Sequence, residues 1–237
     1  MKEKKITKHL RFKDDNGSDF PEWEMKKLNE IFTFRTTNSF SRDNLNYEKG
    51  SIKNIHYGDI HTKFRTHFNV LKEIVPFVNE EISLKKLPVE NFCKEGDVII
   101  ADASEDYADI GKSIEIVNLN NEKVISGLHT LHARPDLQRV VIGFSGHLMK
   151  SENIRSQIKT LAQGTKVLSI TTSRLSDISI NLPSLAEQTK IANFLTAIDE
   201  KIENLEKELD ELKAYKKGVM QAIFNEDDQT LMGGVNH

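Results

Sequence analysis

The chain has 237 residues, a formal net charge of -3 and one cysteine, Cys93, which excludes internal disulfides and cysteine metal clusters. No apolar run is long enough to cross a bilayer, and the highly charged start is unlike a signal peptide, so we expect a soluble, cytoplasmic protein. The charge is distributed unevenly along the chain: residues 1–184 contain 27 basic and 25 acidic side chains, and residues 185–237 contain 6 basic and 11 acidic ones. Only the first part is therefore suited to approach a polyanion.

Short strands and helices follow one another through residues 1–183. In chain order we expect a polar, turn-rich segment over 1–20, a helical face shared by Trp23, Leu28 and Ile31, a buried strand over Val98–Ala101, a hairpin turning at Asn120–Asn121, a strand closed by Pro135, a helix over 147–164 ending at Gly164, and a short strand over 177–183. This mixture predicts the α+β class.

A long helix is expected to start after Pro183. Ser184 and Glu187 have the spacing of a capping box, in which the hydroxyl accepts the backbone N–H of Glu187 and the carboxylate reaches back to residue 184. About 40 helix-favouring residues follow, enough for a helix about 60 Å long.

Apolar residues recur along this helix at alternating spacings of four and three, which is a heptad pattern. This heptad seam consists of Ile191, Leu195, Ile198, Ile202, Leu205, Leu209, Leu212 and Val219. A helix that packs on its own domain has a wider apolar stripe. The narrow seam therefore favours a second helix as its partner in a coiled coil.

The sequence contains no convincing catalytic pattern. The nucleotide-binding patterns G-x-G-x-x-G and G-x-x-x-x-G-K-[ST] are absent. His129 and His132 would point to opposite faces of a strand, so we expect no metal site there. Four aspartates lack the acidic-x-Lys partner of a nuclease and are interpreted as part of a solvated loop: Asp97, Asp102, Asp106 and Asp109.

Residues 182–224, LPSLAEQTKIANFLTAIDEKIENLEKELDELKAYKKGVMQAIF, resemble the conserved helical region of the DNA specificity subunit of Type I restriction–modification systems. The matching elements are Pro183, Glu187-Gln188, Lys190-Ile191-Ala192 and Leu195-Ile198-Asp199. Four stretches resemble the target-recognition domain of the same family: YGDIHTKF (57–64), GDVIIADASEDYADIGKS (96–113), GLHTLHARP (127–135) and LAQGTKVLSIT (161–171).

The resemblance implies a noncatalytic, sequence-specific DNA-recognition subunit. Its implied parts are a polar segment over 1–20, a mixed α/β target-recognition domain over 21–183, a long coiled-coil helix over 184–224 for dimerisation and spacing, and a flexible tail over 225–237. The implied partners are double-stranded DNA, a modification (methyltransferase) subunit and a restriction subunit, and no membrane. S-adenosylmethionine, ATP and Mg would belong to those partner subunits, with no cofactor in this chain.

One departure from the family pattern suggests a half-size form. The usual subunit has two recognition domains and two conserved helices, whereas this chain has one of each, and residues 10–28 resemble the segment that opens a second half. We therefore expect a homodimer, paired through antiparallel helices, that recognises a bipartite symmetric target. The alternatives are a coiled-coil assembly fragment without DNA recognition of its own, an orphan or phase-variable half gene, and a self-contained nuclease or methyltransferase.

Candidate DNA contacts come from three polar stretches that the resemblance places in the recognition domain. Arg, Lys, His, Gln and Thr side chains are suited to base edges and phosphates. The candidates are His61, Thr62, Lys63, Arg65 and His67, then His129 and Arg134, and finally Gln163, Thr165 and Lys166.

Overall fold

The computed structural model describes residues 10–82, 87–164 and 166–224. Its strands, numbered in chain order, are β1 (Glu24–Lys27), β2 (Phe32–Arg35), β3 (Leu45–Asn46), β4 (Lys53–Ile55), β5 (His67–Asn69), β6 (Phe77–Val78), β7 (Val98–Ala101), β8 (Ala103–Ser104), β9 (Ser113–Asn118), β10 (Val124–Ser126), β11 (Thr130–Pro135), β12 (Leu168–Ser169) and β13 (Ser179–Leu182). Its helices are α1 (Leu28–Ile31), α2 (Tyr57–Thr62), α3 (Ser145–Lys150), α4 (Glu152–Leu161), α5 (Thr172–Ser176) and α6 (Leu185–Phe224). The flexible tail expected over 225–237 and the candidate residue Thr165 lie outside the described residues.

The chain divides into two compact units, the first through Asn193 and the second from Phe194. A five-stranded sheet of the first unit has the order β2-β11-β7-β9-β5, and only its β5–β9 pair is parallel. A four-stranded sheet has the order β10-β4-β6-β3, with a parallel β10–β4 pair. These mixed sheets with helices, followed by the long α6, confirm the expected α+β class.

Strand β7 lies between the two main apolar clusters of the first unit. Val98 and Ile100 pack in one cluster, with residues of α3, α4 and α5, and Ile99 and Ala101 pack in the other. Since successive side chains of a strand point to opposite faces, burial on both faces requires a continuous apolar run. The expected strand Val98–Ala101 is confirmed with these bounds.

The hairpin expected around Asn120–Asn121 is wrong in its pairing. The chain does turn there, with φ angles of +47° at Asn120 and +58° at Asn121, a conformation that asparagine tolerates. However, β7 and β5 occupy both edges of β9, and β10 instead pairs with β4 in the other sheet. The two strands that flank the turn therefore belong to different sheets.

Two expected helices also differ from the structure. Residues 147–164 do not form one helix, because Ser151 is extended (ψ +143°) and separates α3 from α4, which ends at Leu161. Trp23 shares no helical face with Leu28 and Ile31, because it precedes β1 and only the other two belong to the one-turn helix α1.

The N-terminal segment of the described chain is ordered by local turns and by contacts with α6. The side chain of Asp14 accepts the N–H groups of Asn16 and Ser18. Lys190 of α6 donates to the backbone carbonyl of Lys13 at 2.8 Å and pairs with Asp15 at 2.6 Å. Residues 10–20 are thus packed on the first unit.

Strand β1 places residue 23 beside the start of α6. It pairs antiparallel with β13, with Glu24 opposite Leu182. Since α6 starts three residues after β13, the side chains before β1 can reach its first turn.

In the second unit, α6 exposes most of the heptad seam. Ile198, Ile202, Leu205, Leu209, Leu212 and Val219 are between 37% and 57% exposed. Ile191 differs, because it lies in the first unit and packs against the apolar cluster of Val98 and Ile100. No helix within the described residues has the length and apolarity needed to cross a membrane.

Candidate nucleic-acid interface

Helix α2 is fixed at its start by a neutral histidine. His56 is the N-cap, and its Nδ1 accepts the backbone N–H of Gly58 at 3.1 Å. Burial, and then the nearby charge of Arg42, lower the pKa of His56 to about 4. The imidazole is therefore uncharged at neutral pH and can act as this acceptor.

The aromatic ring of Tyr57, the first residue of α2, brings two of the predicted DNA-contacting stretches together. Its centroid lies 4.7 Å from that of His56, 6.0 Å from that of His61 and 5.2 Å from that of His129, the last two in edge-to-face arrangements. We call these four residues the Tyr57 cluster. Sequence analysis missed Tyr57, although its i, i+4 spacing to His61 on a helix could have indicated it.

The third predicted stretch is linked to the same region through β8. His61 Nε2 lies 3.0 Å from the carbonyl oxygen of Ala103 in β8. Strand β8 pairs with β12, and Ser169 of β12 forms a two-way backbone bridge with Gln163. Gln163 and Lys166 are both exposed around this bridge.

His129, a member of the Tyr57 cluster, lies next to the carboxylate of Asp102. Its φ of +54° lies in the left-handed region. Residues other than glycine rarely adopt this conformation, and those that do are often found at functional sites. Its Nδ1 lies 3.3 Å from Oδ1 of Asp102, and the two residues line a polar cleft with Thr37, Asn38 and Ser39. Burial raises the pKa of Asp102, and the neighbouring His129 opposes that rise.

A second group of charges, the Asp59 cluster, lies beside α2. It consists of Arg42, Tyr47, Asp59 and Lys63. Asp59 is fully buried, whereas the side chains of Arg42 and Lys63 are 42% and 49% exposed. Arg42 and Tyr47 were missed by sequence analysis, because no local sequence pattern indicates that they contact Asp59.

The remaining members of the first stretch differ in exposure. Thr62 is exposed, and its hydroxyl donates to the carbonyl of Gly58 within its own helix. Arg65 is exposed, and its backbone N–H binds the side chain of Glu73. His67 points inward instead: its side chain is 14% exposed, and its Nε2 lies 2.9 Å from the carbonyl oxygen of Gly143. His67 thus holds the loop that contains Gly143, and its side chain is badly placed to contact a base.

Arg134 is also held inside the unit. Its Nε and Nη2 donate to the two oxygens of Asp97 at 2.9 and 2.8 Å, and Nη2 also donates to the carbonyl of Phe92. His132 Nε2 lies 2.7 Å from Oδ2 of the same carboxylate. Asp97 is completely buried, so the prediction that it belongs to a solvated loop is wrong. Arg134 is a structural partner of this carboxylate.

The buried carboxylate, with two neighbours, gives a set of potential metal ligands. One ligand atom from each of Cys93, Asp97 and His132 lies within 4.8 Å of the other two. The guanidinium of Arg134 already binds both oxygens of Asp97 and supplies the positive charge that a metal would supply. These contacts fit a buried ion pair better than a metal site.

The start of α6 is anchored by two fully buried polar side chains. The expected cap is half right: Ser184 Oγ accepts the N–H of Glu187 at 3.4 Å, but the Glu187 carboxylate binds Arg11 and Trp23 instead of residue 184. Gln188 accepts the N–H of Val141 and donates to the carbonyls of Arg139 and Pro183. Both residues belong to the Glu-Gln element on which the family resemblance was based.

A mixed α/β unit with a surface of histidine, tyrosine, arginine and lysine, followed by a long helix with an exposed heptad seam, fits a nucleic-acid-recognition module. The model of the Type I restriction modification DNA specificity domain matches residues 21–214, and the chain belongs to this family. It is 29% identical over 228 residues to the Type I restriction enzyme MjaVIII specificity subunit of Methanocaldococcus jannaschii, covering 93% of this chain and 50% of that protein.

Solved structures show the same fold. The S subunit of a Type-I restriction-modification system from M. genitalium has a TM-score of 0.56 at 15% identity, covering 92% of this chain and 49% of that chain. The HsdS subunit from Thermoanaerobacter tengcongensis has a TM-score of 0.53 at 18% identity, covering 90% and 46%. This chain therefore spans about half the length of the relatives that it matches.

Proposed function

We propose that this chain is the noncatalytic DNA-recognition component of a type I restriction–modification complex. In this proposal the first unit recognises one half of a bipartite target. Helix α6 pairs with α6 of a second copy and sets the distance between the halves. Modification and restriction subunits dock on the pair and supply the chemistry that uses S-adenosylmethionine, ATP and Mg.

The observation that carries the DNA-binding part is that two of the predicted stretches meet at Tyr57 and that the third is linked to the same region through strands β8 and β12. His61, His129 and Gln163 come from separate parts of the sequence and are connected through ring contacts and strand β8. Arg42 and Lys63 add exposed positive charge beside them. Donors and acceptors for bases next to cations for phosphates are the combination that duplex recognition requires. His67 and Arg134 are left out of the proposed interface.

The heptad seam supports pairing. Six seam residues between Ile198 and Val219 remain at least 37% exposed in the single chain. Burying a fully exposed leucine or isoleucine stabilises an assembly by about 1.5–3 kcal/mol, so a second helix that covers these half-exposed side chains would gain roughly half of that at each position. Antiparallel pairing, which the family resemblance implies, would place the two recognition units apart.

Pairing is tested by placing charge in the seam. Leu205→Glu with Leu209→Glu would bury two unpaired carboxylates and should reduce the molar mass in light scattering from dimer to monomer. Asn204→Glu with Ala214→Glu is the matched control, because it adds the same charge on the outer face of the heptad. An unchanged mass for the seam variant would mean that the seam is not the interface.

Recognition is tested by reconstituting the full chain with its modification subunit and mapping methylated bases on DNA of random sequence. We expect methylation confined to one bipartite sequence. A complex that assembles and methylates without sequence preference would identify the chain as an assembly adaptor. Methyl transfer by the purified chain alone would identify it as an enzyme.

A further inference from the structure

In the Asp59 cluster, one buried carboxylate holds two cations. Arg42 binds it with two parallel hydrogen bonds, Nη1 to Oδ2 at 2.8 Å and Nη2 to Oδ1 at 2.7 Å. Lys63 Nζ lies 3.0 Å from Oδ1. A carboxylate needs one cation for charge balance, so the cluster has a net positive charge.

Tyr47 fixes both cations from the other side. Its hydroxyl lies 3.1 Å from Arg42 Nη1 and 3.0 Å from Lys63 Nζ, and the ammonium also lies 5.1 Å from the centre of the tyrosine ring. The hydrogen bond to Asp59 raises the pKa of Arg42. The bonds to Tyr47 and then Asp59 raise the pKa of Lys63. Both groups are therefore cationic at neutral pH.

Space next to the guanidinium is provided by a glycine. A Cβ at Gly58 would lie 3.3 Å from Arg42 Nη2. The three hydrogen bonds of Arg42 use at most three of the five N–H donors of a guanidinium, and nearly half of the side chain is exposed. The group can therefore accept a further anion without giving up its contacts in the cluster.

We propose that Arg42 and Lys63 form a binding site for the phosphodiester backbone of duplex DNA, and that Asp59 is a positioning residue that presents them. A free surface Arg or Lys must be immobilised when it binds a phosphate, at a cost in side-chain entropy. In this cluster the contacts with Asp59 and Tyr47 already hold both side chains in place before DNA binds. This inference rests on the proposed function.

The test is the salt dependence of duplex binding. Fluorescence anisotropy would follow the complex of the full chain with its modification subunit on a labelled duplex of random sequence. Loss of one phosphate contact should reduce the slope of log Kobs against log[salt] by about 0.9, which corresponds to about eightfold weaker binding at about 0.1 M salt. We expect this change for Arg42→Gln and for Lys63→Gln, equally on every sequence.

Two control variants match the tested residues in side-chain exposure, and each pairs with an aspartate that is itself exposed. Arg139 pairs with Asp136 and is 49% exposed, and Lys27 pairs with Asp177 at 3.0 Å and is 53% exposed. Arg139→Gln and Lys27→Gln should leave the slope unchanged. A slope that falls equally for tested and control variants would overturn the inference, because the loss of any surface charge would then have the same effect on DNA binding.

Asp59→Asn separates positioning from simple charge. It removes a negative charge, so charge counting predicts tighter DNA binding, whereas loss of positioning predicts weaker binding. Circular dichroism would check that the variant is folded; if it is not, the two glutamine variants still decide. Unchanged slopes for Arg42→Gln and Lys63→Gln would overturn this inference alone. A wild-type complex that binds no duplex at all would overturn the proposed function as well.

Discussion

The indole Nε1 of Trp23 donates a hydrogen bond of 2.9 Å to Oε2 of Glu187, a residue 164 positions later in the chain. Glu187 lies in the first turn of α6 and is completely buried. The contact therefore attaches the beginning of the long helix to the segment before β1, so that both belong to one packed unit.

Trp23→Phe should weaken this attachment. The variant removes the N–H donor and keeps an aromatic ring, so the buried carboxylate loses one hydrogen bond. Bonds to charged groups contribute about 1.5–3 kcal/mol, and Trp23 is partly exposed, so we expect a loss of about 1–2 kcal/mol in the free energy of unfolding in urea. Met25→Leu, at an exposed position in β1, is the control and should stay within about 0.5 kcal/mol. A smaller loss for Trp23→Phe than for the control would contradict the attachment.

Glu115 should make the stability fall as pH rises. It is buried on β9 and accepts the N–H groups of Gly143 and Gly146 at 2.7 and 2.6 Å. Burial raises its pKa from 4.5 to about 7 despite these bonds. Between those values the folded chain binds more protons than the unfolded chain, so stability is lost as pH increases through the window. The total is about 3 kcal/mol.

The measurement is the free energy of unfolding from pH 5 to 8 for wild type and Glu115→Gln. A glutamine does not titrate, so the stability of wild type relative to the variant should fall across this range. The single amide oxygen of Gln can accept only one of the two N–H groups, so the variant also loses stability for a reason unrelated to titration. The informative quantity is therefore the pH dependence of the stability difference between wild type and variant, not its size. Glu48→Gln, at an exposed position, should keep the wild-type dependence. A difference between wild type and Glu115→Gln that is constant with pH would rule this explanation out.

Asp97→Asn should be strongly destabilising. The change leaves the partly buried guanidinium of Arg134 without its charge partner and removes an acceptor from His132. Breaking such a buried pair costs about 3–5 kcal/mol, which urea unfolding would detect. If Arg134 is structural, folded Arg134→Gln at low temperature should keep the wild-type salt slope for DNA. A slope reduced by about 0.9 would instead show that Arg134 contacts a phosphate.

Asp102 should contribute to base recognition if the cleft beside His129 meets a base. A carboxylate is repelled by phosphates but accepts a hydrogen bond from a base amino group. Asp102→Asn should therefore change the preference at one position of the half-site and reduce discrimination there by about tenfold, or about 1.4 kcal/mol. Selection of bound sequences from a random library would show it, with Glu105→Gln on the neighbouring exposed loop as the control. Identical selected sequences would exclude Asp102 from the interface.

The parts that sequence analysis predicted correctly have local causes. The apolar run Val98–Ala101 became a strand buried on both faces, and Ser184 became the cap of a helix that continues to Phe224. Propensity, periodicity and capping act within a few residues, so they can be recognised without the fold.

The parts that were missed depend on contacts between distant residues. The turn at Asn120–Asn121 was correct, but the choice of β4 as the partner of β10 depends on which sheet edges are free. Likewise, Arg134 has the chemistry of a DNA contact, and only the fold shows that Asp97 occupies it. Charge and residue type identified candidates, while burial decided between structural and accessible roles.

In the proposed function, the first unit recognises a half-site and α6 sets the spacing between two such units. Inserting one heptad of seven residues within 200–212 would preserve the seam and lengthen the helix by about 10 Å, or about three base pairs. The measurement is a map of methylated bases for complexes built with the wild-type and lengthened chains. We predict two inverted half-sites that stay the same while the gap between them grows by about three base pairs. An asymmetric target, or a changed half-site with an unchanged gap, would contradict the claim.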